Sequence, residues 1–209
     1  QRAATATKQE KFTQEIVPIS VEQKNGTITI QTDEDIDKVI PDKVAKLKPV
    51  FEKDGTLTAA NSSNLNDAAA GLILASKEAV KMYGLKPLAK IIGYADAAQA
   101  PEWFTTAPAL AIPKALKHAN LRLGDVDYFE INEAYASVVL SIQQLLELDL
   151  KKINVYGGAV AMGHPIGASG ARIIVSLIHI LVDKKARLGA AGICNGGGGA
   201  SAIVIEWQP

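Results

Sequence analysis

Val126-Asp127-Tyr128-Phe129-Glu130-Ile131, then Asn132-Glu133-Ala134-Tyr135-Ala136 and an apolar stretch running to Glu147, is the segment whose reading decides the fold. The first six residues read as a strand. Beyond Asn132 the apolar residues recur at helical spacing, at Val138, Val139, Ile142, Leu145 and Leu146, so the pattern changes period across one asparagine. The same unit recurs on both sides. Upstream, Ile91-Ile92-Gly93-Tyr94-Ala95 reads as a strand, and Thr106 with Pro108 opens a helix reaching His118. Downstream come a short strand at Ile153-Asn154-Val155, a strongly apolar helix over 168–183, and strands at 190–194 and 202–205. Strands alternating with helices over such short connections predict a layered α/β fold with a mixed sheet.

The first 60 residues are polar and broken. Ile16-Val17-Pro18-Ile19-Ser20-Val21 and Thr27-Ile28-Thr29-Ile30 read as strands joined by a turn at Asn25-Gly26. The acidic run Asp33-Glu34-Asp35 and the lysines at 43, 46 and 48 read as solvated loop. Asn66 or Asp67 is expected to cap a helix that continues to Tyr83 and stops at Gly84. The chain has no Met at its start and no leader-like segment, which reads as the middle of a longer protein.

Composition narrows the function classes. Lys plus Arg number 22 and Asp plus Glu number 22, so the basic footprint of a nucleic-acid binder is missing. No apolar run approaches the roughly 20 residues of a bilayer-spanning helix, and no membrane partner is expected. Hydrophobic residues make up 48%, enough for a core. The one cysteine, Cys194, cannot form an internal disulfide and points to a reducing compartment.

Chemistry concentrates in four segments. Gly157-Gly158-Ala159-Val160-Ala161-Met162-Gly163-His164-Pro165-Ile166-Gly167-Ala168-Ser169-Gly170 precedes a helix and sets His164 on a rigid tip, a candidate acid or base. Its glycine spacing is wrong for a dinucleotide fingerprint. Cys194-Asn195-Gly196-Gly197-Gly198-Gly199 follows a strand; amides converging beside a sulfur suit oxyanion stabilisation. Asn132, at the strand-to-helix junction, is either a helix cap or a group that holds a carbonyl oxygen or water. Ala59-Ala60-Asn61-Ser62-Ser63-Asn64-Leu65-Asn66-Asp67 is by itself a polar turn.

Taken in this order, the four segments resemble the thiolase family, in particular its biosynthetic, acetoacetyl-CoA-forming branch. The resemblance rests on N-E-A-Y-A at 132–136, on G-G-A-V-A-M-G-H-P-I-G-A-S-G-A-R at 157–172 and on C-N-G-G-G-G at 194–199. Trp103–Pro108 and the Tyr156–Val160 stretch look most like fungal cytosolic members, which implies a cytoplasmic location, with mitochondrion and peroxisome still open. The implied chemistry is condensation of two acetyl-CoA to acetoacetyl-CoA and CoA, or the reverse thiolysis, through an acetylated cysteine.

By this resemblance His164 activates that nucleophile, and Cys194 removes the α-proton of the second acetyl-CoA and returns one to leaving CoA. Asn132 holds a water that completes one oxyanion hole, and the amide of Gly196 belongs to the other. Ser63 corresponds to a pantetheine contact and Lys43 to one near the nucleotide end of CoA. No organic cofactor is implied. In potassium-dependent members, carbonyls matching Ala59, Ala60, Ser62 and Val160 bind the ion. Ala68 and Tyr135 depart from the usual Gly and Phe; a tighter helix and a hydroxyl near the thioester pocket are the expected consequences.

The resemblance also implies a longer polypeptide. Residues 1–65 correspond to the tail of a loop domain, 66–85 to the last helix and strand of an N-terminal half, and 86–209 to a C-terminal half with a mixed five-stranded sheet. The acylated cysteine then belongs to the N-terminal half, the 209 residues alone are expected to be inactive, and a homo-oligomer, a dimer of dimers, is implied. Two alternatives stay open: a long-chain 3-ketoacyl-CoA thiolase, and a non-catalytic CoA-binding or assembly fragment.

Overall fold

A computed structural model describes residues 1–209. In chain order the elements are helix α1 (Arg2–Lys8), strands β1 (Ile19–Gln23) and β2 (Gly26–Ile30), helices α2 (Pro41–Val44) and α3 (Lys77–Tyr83), β3 (Ala89–Ala98), α4 (Pro108–His118), β4 (Tyr128–Ile131), α5 (Ala136–Leu146), α6 (Ala159–Met162), α7 (Ser169–Lys184), β5 (Leu188–Cys194) and β6 (Gly199–Trp207). The large sheet runs β3-β6-β5-β4. Its β3/β6 and β6/β5 pairs are antiparallel and its β5/β4 pair is parallel, so it is mixed, as the alternation predicts.

Strand periodicity splits the core into two layers. Ala190 and Val204 belong to the cluster under α4 and α5, with Ile112, Leu116, Phe129, Val138 and Ile142. Their chain neighbours Ala191 and Ile205 point to the opposite face, against Ile173, Leu177 and Leu181 of α7. Outside α7 lies a third layer, in which Ala6 of α1 and Phe12 pack on Tyr156 and Ile180. Phe129 is fully buried at the centre of the first layer. Phe129→Ala is expected to cost about 3–5 kcal/mol, read from the midpoint shift in urea unfolding.

Four local expectations change. Strand β1 starts at Ile19, because Pro18 has no N–H to give the ladder. Gln23 pairs with Gly26, so Lys24 and Asn25 make the turn. The helix expected from Asn66 or Asp67 begins only at Lys77, where the Ser76 hydroxyl caps Ala79 N at 3.1 Å; Gly84 ends it in left-handed geometry, as expected. Residues 66–75 carry no regular structure and expose Ile73 and Leu74, so no packed face holds them helical, which is where most helical stability originates.

The fourth change is at Ile153-Asn154-Val155. Ile153 makes one parallel bridge to Phe129, at the fifth position of the sheet. Asn154 then replaces a ladder with its own amide: Ile131 N donates to Oδ1 at 2.8 Å, and Nδ2 donates to Ile131 O at 2.8 Å. A side chain that satisfies both backbone groups of Ile131 removes the need for a longer strand.

Candidate active site

Ile131 of β4 lies opposite Gly192 of β5 in parallel register, so the residues leaving the two carboxyl ends, Asn132 and Cys194, emerge on one edge of the sheet. Crevices at that edge are where open α/β sheets bind ligands. Asn132 is fully buried and its backbone N donates to Gly192 O at 2.9 Å. It caps no helix: α5 begins four residues later, after Tyr135, without a side-chain cap. Its Nδ2 lies instead 3.2 Å from Nε2 of His164.

His164 reaches that point from the turn between α6 and α7. Gly163 has φ +92°, and a Cβ there would stand 2.1 Å from Asn66 Oδ1, so only glycine lets the turn fold over Asn66. The His164 backbone N donates to Asn64 O at 2.7 Å. On the far side of the ring, Nδ1 sits 2.6 Å from Ser169 Oγ, whose hydroxyl donates to Pro165 O at 3.1 Å. A hydroxyl has one proton, so Ser169 accepts from Nδ1–H, and Nε2 carries the lone pair that receives the Asn132 amide. Burial, and secondarily the Arg172 charge, hold the imidazole below its ordinary pKa. The result is a neutral base with its lone pair at the sheet edge.

Cys194 ends β5, half-buried, and packs on the core under α4 and α5. Burial pushes its thiol up, so the resting form is the acid. Both nitrogens of His164 are engaged elsewhere, and Asn132 stands between the imidazole and the cysteine's strand. Past Cys194 the chain turns around Asn195, whose Oδ1 accepts from Gly197 N (3.2 Å) and Gly199 N (3.3 Å). Bare backbone is demanded at Gly198, with φ +87° and a virtual Cβ 2.3 Å from Gln99 O, whereas a Cβ at Gly196 meets open space. The Gly196 N–H makes no hydrogen bond within the chain, and Asn132 Oδ1 is buried without a partner. The chain thus leaves one free donor two residues past Cys194 and one free acceptor on Asn132.

The remaining sequence candidates lie further out. Ser63 donates its hydroxyl to Ala134 O at 2.9 Å, and Ser62 bridges Tyr135, which straps the 61–63 segment onto the stretch after Asn132. Lys43 is exposed on α2. The carbonyls of Ala59, Ala60, Ser62 and Val160 accept no hydrogen bond within the chain, and carbonyl oxygens are the donors that a hard cation takes. Ala68 is not in a helix; it lines an open cleft of about 360 Å³ between the 66–70 and 165–168 segments, beside His164 in the chain. The Tyr135 ring packs edge-on against Phe51, with centroids 5.8 Å apart.

Several supporting residues escape sequence reading. Glu133 Oε2 accepts from Val160 N at 3.0 Å and its Oε1 from Asn154 Nδ2 at 2.8 Å, which ties the glycine loop to β4. Behind α7's first turn, Arg172 faces Glu130 at 3.4 Å, and Glu15 takes the Ser176 hydroxyl at 3.3 Å. Burial outweighs Arg172 at both acids, raising Glu15 to about 7 and Glu130 to about 8. The signals were Ser and Arg at five and eight residues past His164, and an acidic residue inside an otherwise apolar strand.

The class defined so far is a layered α/β protein in which a buried Asn132 contacts His164 at the carboxyl edge of the sheet, beside the end of the Cys194 strand. Residues 85–207 match the family model described as thiolase, C-terminal domain, and residues 1–78 the one described as thiolase, N-terminal domain. A probable acetyl-CoA acetyltransferase of Dictyostelium discoideum is 54% identical over 98% of this chain and 50% of its own length. A cytosolic acetyl-CoA acetyltransferase of Gibberella zeae is 49% identical over 98% of this chain and 52% of its own. The crystal structure of the Bacillus anthracis acetyl-CoA acetyltransferase superposes with a TM-score of 0.95 at 43% identity, covering 99% of this chain and 53% of that one. The chain belongs to the thiolase family. It spans about half the length of the curated relatives it matches.

Proposed function

We propose that this chain supplies the C-terminal half of an acetyl-CoA acetyltransferase site, which condenses two acetyl-CoA to acetoacetyl-CoA and CoA or runs the reverse thiolysis. The observation that carries the reading is the Asn132–His164 contact at 3.2 Å beside the end of the Cys194 strand. In the first stage the Asn132 amide gives up its contact with Nε2 of His164, a cysteine from the remainder of the polypeptide gives its proton to that nitrogen, and its thiolate attacks the acetyl carbonyl. The C–S bond to CoA breaks, and CoA leaves as its thiol with a proton from Cys194. Cys194, now a thiolate, takes the α-proton of the second acetyl-CoA, and the carbanion displaces the enzyme thiolate from the acetyl group, the thiolate taking back the proton from Nε2 of His164.

Charge that develops on the thioester oxygens has two places to go. The imidazolium Nε2–H and a water held at Asn132 Oδ1 serve one, and the free Gly196 N–H serves the other. The protonated resting state of Cys194, set by burial, suits its role as acid in the first stage. Potassium, when bound, would supply a fixed positive charge, held by the carbonyls of Ala59, Ala60, Ser62 and Val160. Ser63 and Lys43 belong to the same proposal as contacts along CoA, and so do a cytoplasmic location and a dimer of dimers. The two family models, which end at 78 and begin at 85, support a break before the C-terminal half (86–209); the further division into a loop-domain tail (1–65) and the close of the N-terminal half (66–85) belongs to the same proposal.

Thiolysis of acetoacetyl-CoA, followed at the loss of its enolate absorbance, tests the proposal. The 209 residues alone are expected to show none, and joining them to the N-terminal half of the Dictyostelium relative is expected to restore it. Cys194→Ser in the joined protein should then abolish it. Turnover by the isolated chain, or an unaffected Cys194→Ser variant, sinks the reading.

A further inference from the structure

Asp35 sits in the 3-10 turn Glu34–Lys38, in the acidic run whose composition reads as solvated loop. Its side chain is instead only 11% exposed. Oδ2 accepts from Asn64 Nδ2 at 3.1 Å and from Asn66 Nδ2 at 3.0 Å, while Oδ1 meets Lys38 Nζ at 2.9 Å. These bonds, Lys38's first and then those of Asn66 and Asn64, hold the carboxyl down at about 2, so it stays ionised at any working pH.

Both asparagines touch the turn that carries His164. Asn64 O accepts the His164 backbone N–H at 2.7 Å, and the Asn66 amide fills the space over Gly163. The Asn66 Oδ1 is buried with no partner, so the bond to Asp35 is what orients that amide. A carboxylate 129 positions away in sequence is thus two hydrogen-bonded contacts from the imidazole's main chain.

We propose that Asp35 is a positioning residue for His164: it holds Asn64 and Asn66 as a clamp on the Gly163–His164 turn and so aims Nε2 at Asn132. The inference deepens the functional reading and rests on it for its consequence in catalysis, while the clamp itself is a matter of structure. Ion pairs and polar contacts at an exposed loop would contribute little; this carboxylate is itself largely covered and takes two charge-assisted amide hydrogen bonds, the one from Asn66 part-buried and the one from Asn64 at the surface.

Hydrogen exchange and ¹⁵N spectra of the His164 side chain in the 209-residue protein read the clamp directly. Asp35→Ala is expected to lower protection of the His164 amide by about tenfold or more, while β5 amides keep theirs, and to replace the single Nδ1–H tautomer by a mixture. Asn66→Ala should do the same with Asp35 intact, and serves if Asp35→Ala does not fold. Lys38→Met should change neither, since Lys38 meets the carboxylate from the solvent side. In the protein joined to its N-terminal half, Asp35→Ala should lower kcat and leave KM within about twofold.

An unchanged His164 amide and tautomer in Asp35→Ala, or an equal loss of protection in β5, overturns the proposal. If the spectra change as expected but the unsubstituted joined protein shows no thiolysis, the clamp stands and the functional reading falls.

Discussion

His164→Ala, in the chain joined to its N-terminal half, is expected to lower kcat for thiolysis by about a thousandfold, within the range a positioned acid–base group supplies. Asn132 and Ser169 engage opposite nitrogens of one ring, so the substitution removes the base and leaves the buried Asn132 amide without a partner on either side. The pH dependence should carry the same signature. Burial and Arg172 lower the imidazole's pKa, so the unprotonated base persists as pH falls through the ordinary imidazole range. The acid limb of kcat/KM should lie below about 6.5. A loss smaller than tenfold, or an acid limb above that value, would exclude His164 as the base.

The second large effect concerns stability. Arg172 is the cation that opposes the raised pKa of Glu15, Asp33 and Glu130. A carboxyl raised in the folded state binds more protons there than in the unfolded chain. Stability therefore falls as pH rises from the ordinary carboxylate range through about 7 at Glu15 and about 8 at Glu130. Removing the guanidinium leaves Glu130, 1% exposed, with no opposite charge. Arg172→Met is expected to cost about 1–2 kcal/mol more at pH 8 than at pH 5, because at pH 8 the acids must take up protons once their cation is gone, whereas at pH 5 they already hold them. Glu130→Gln in the parent chain should flatten the fall of stability with pH. Urea unfolding at the two pH values decides the matter, and a pH-independent cost for Arg172→Met would contradict it.

The elements that pack on the large sheet were legible because their periodicity matches their burial: β4 and α5 face one core, α7 the other, and each apolar stripe in the sequence lies where its partner does. The 66–76 stretch misled for the opposite reason. Its small apolar residues satisfy a helical pattern, but within this chain no surface receives them, and pattern without a partner does not fold a helix. Asn154 defeated the strand reading by a means no propensity describes, a side chain standing in for a ladder. Asp35 looked like one more solvated acid because the two amides that bury it come from a segment about 30 residues later.

Sequence by itself determined the layered α/β class, the candidates His164, Cys194, Asn132 and Gly196, and the family, since each depends on local composition or on motifs whose residue order is their signature. Tertiary structure alone decided which groups meet. Parallel register between β4 and β5 brings Asn132 and Cys194 to one edge, a left-handed Gly163 turns His164 onto Asn132, and Ser169 sets its tautomer. Hydrogen bonds and buried charges act through space over a few ångströms, and the chain must fold before residues 35, 64, 132, 164 and 194 have distances between them at all.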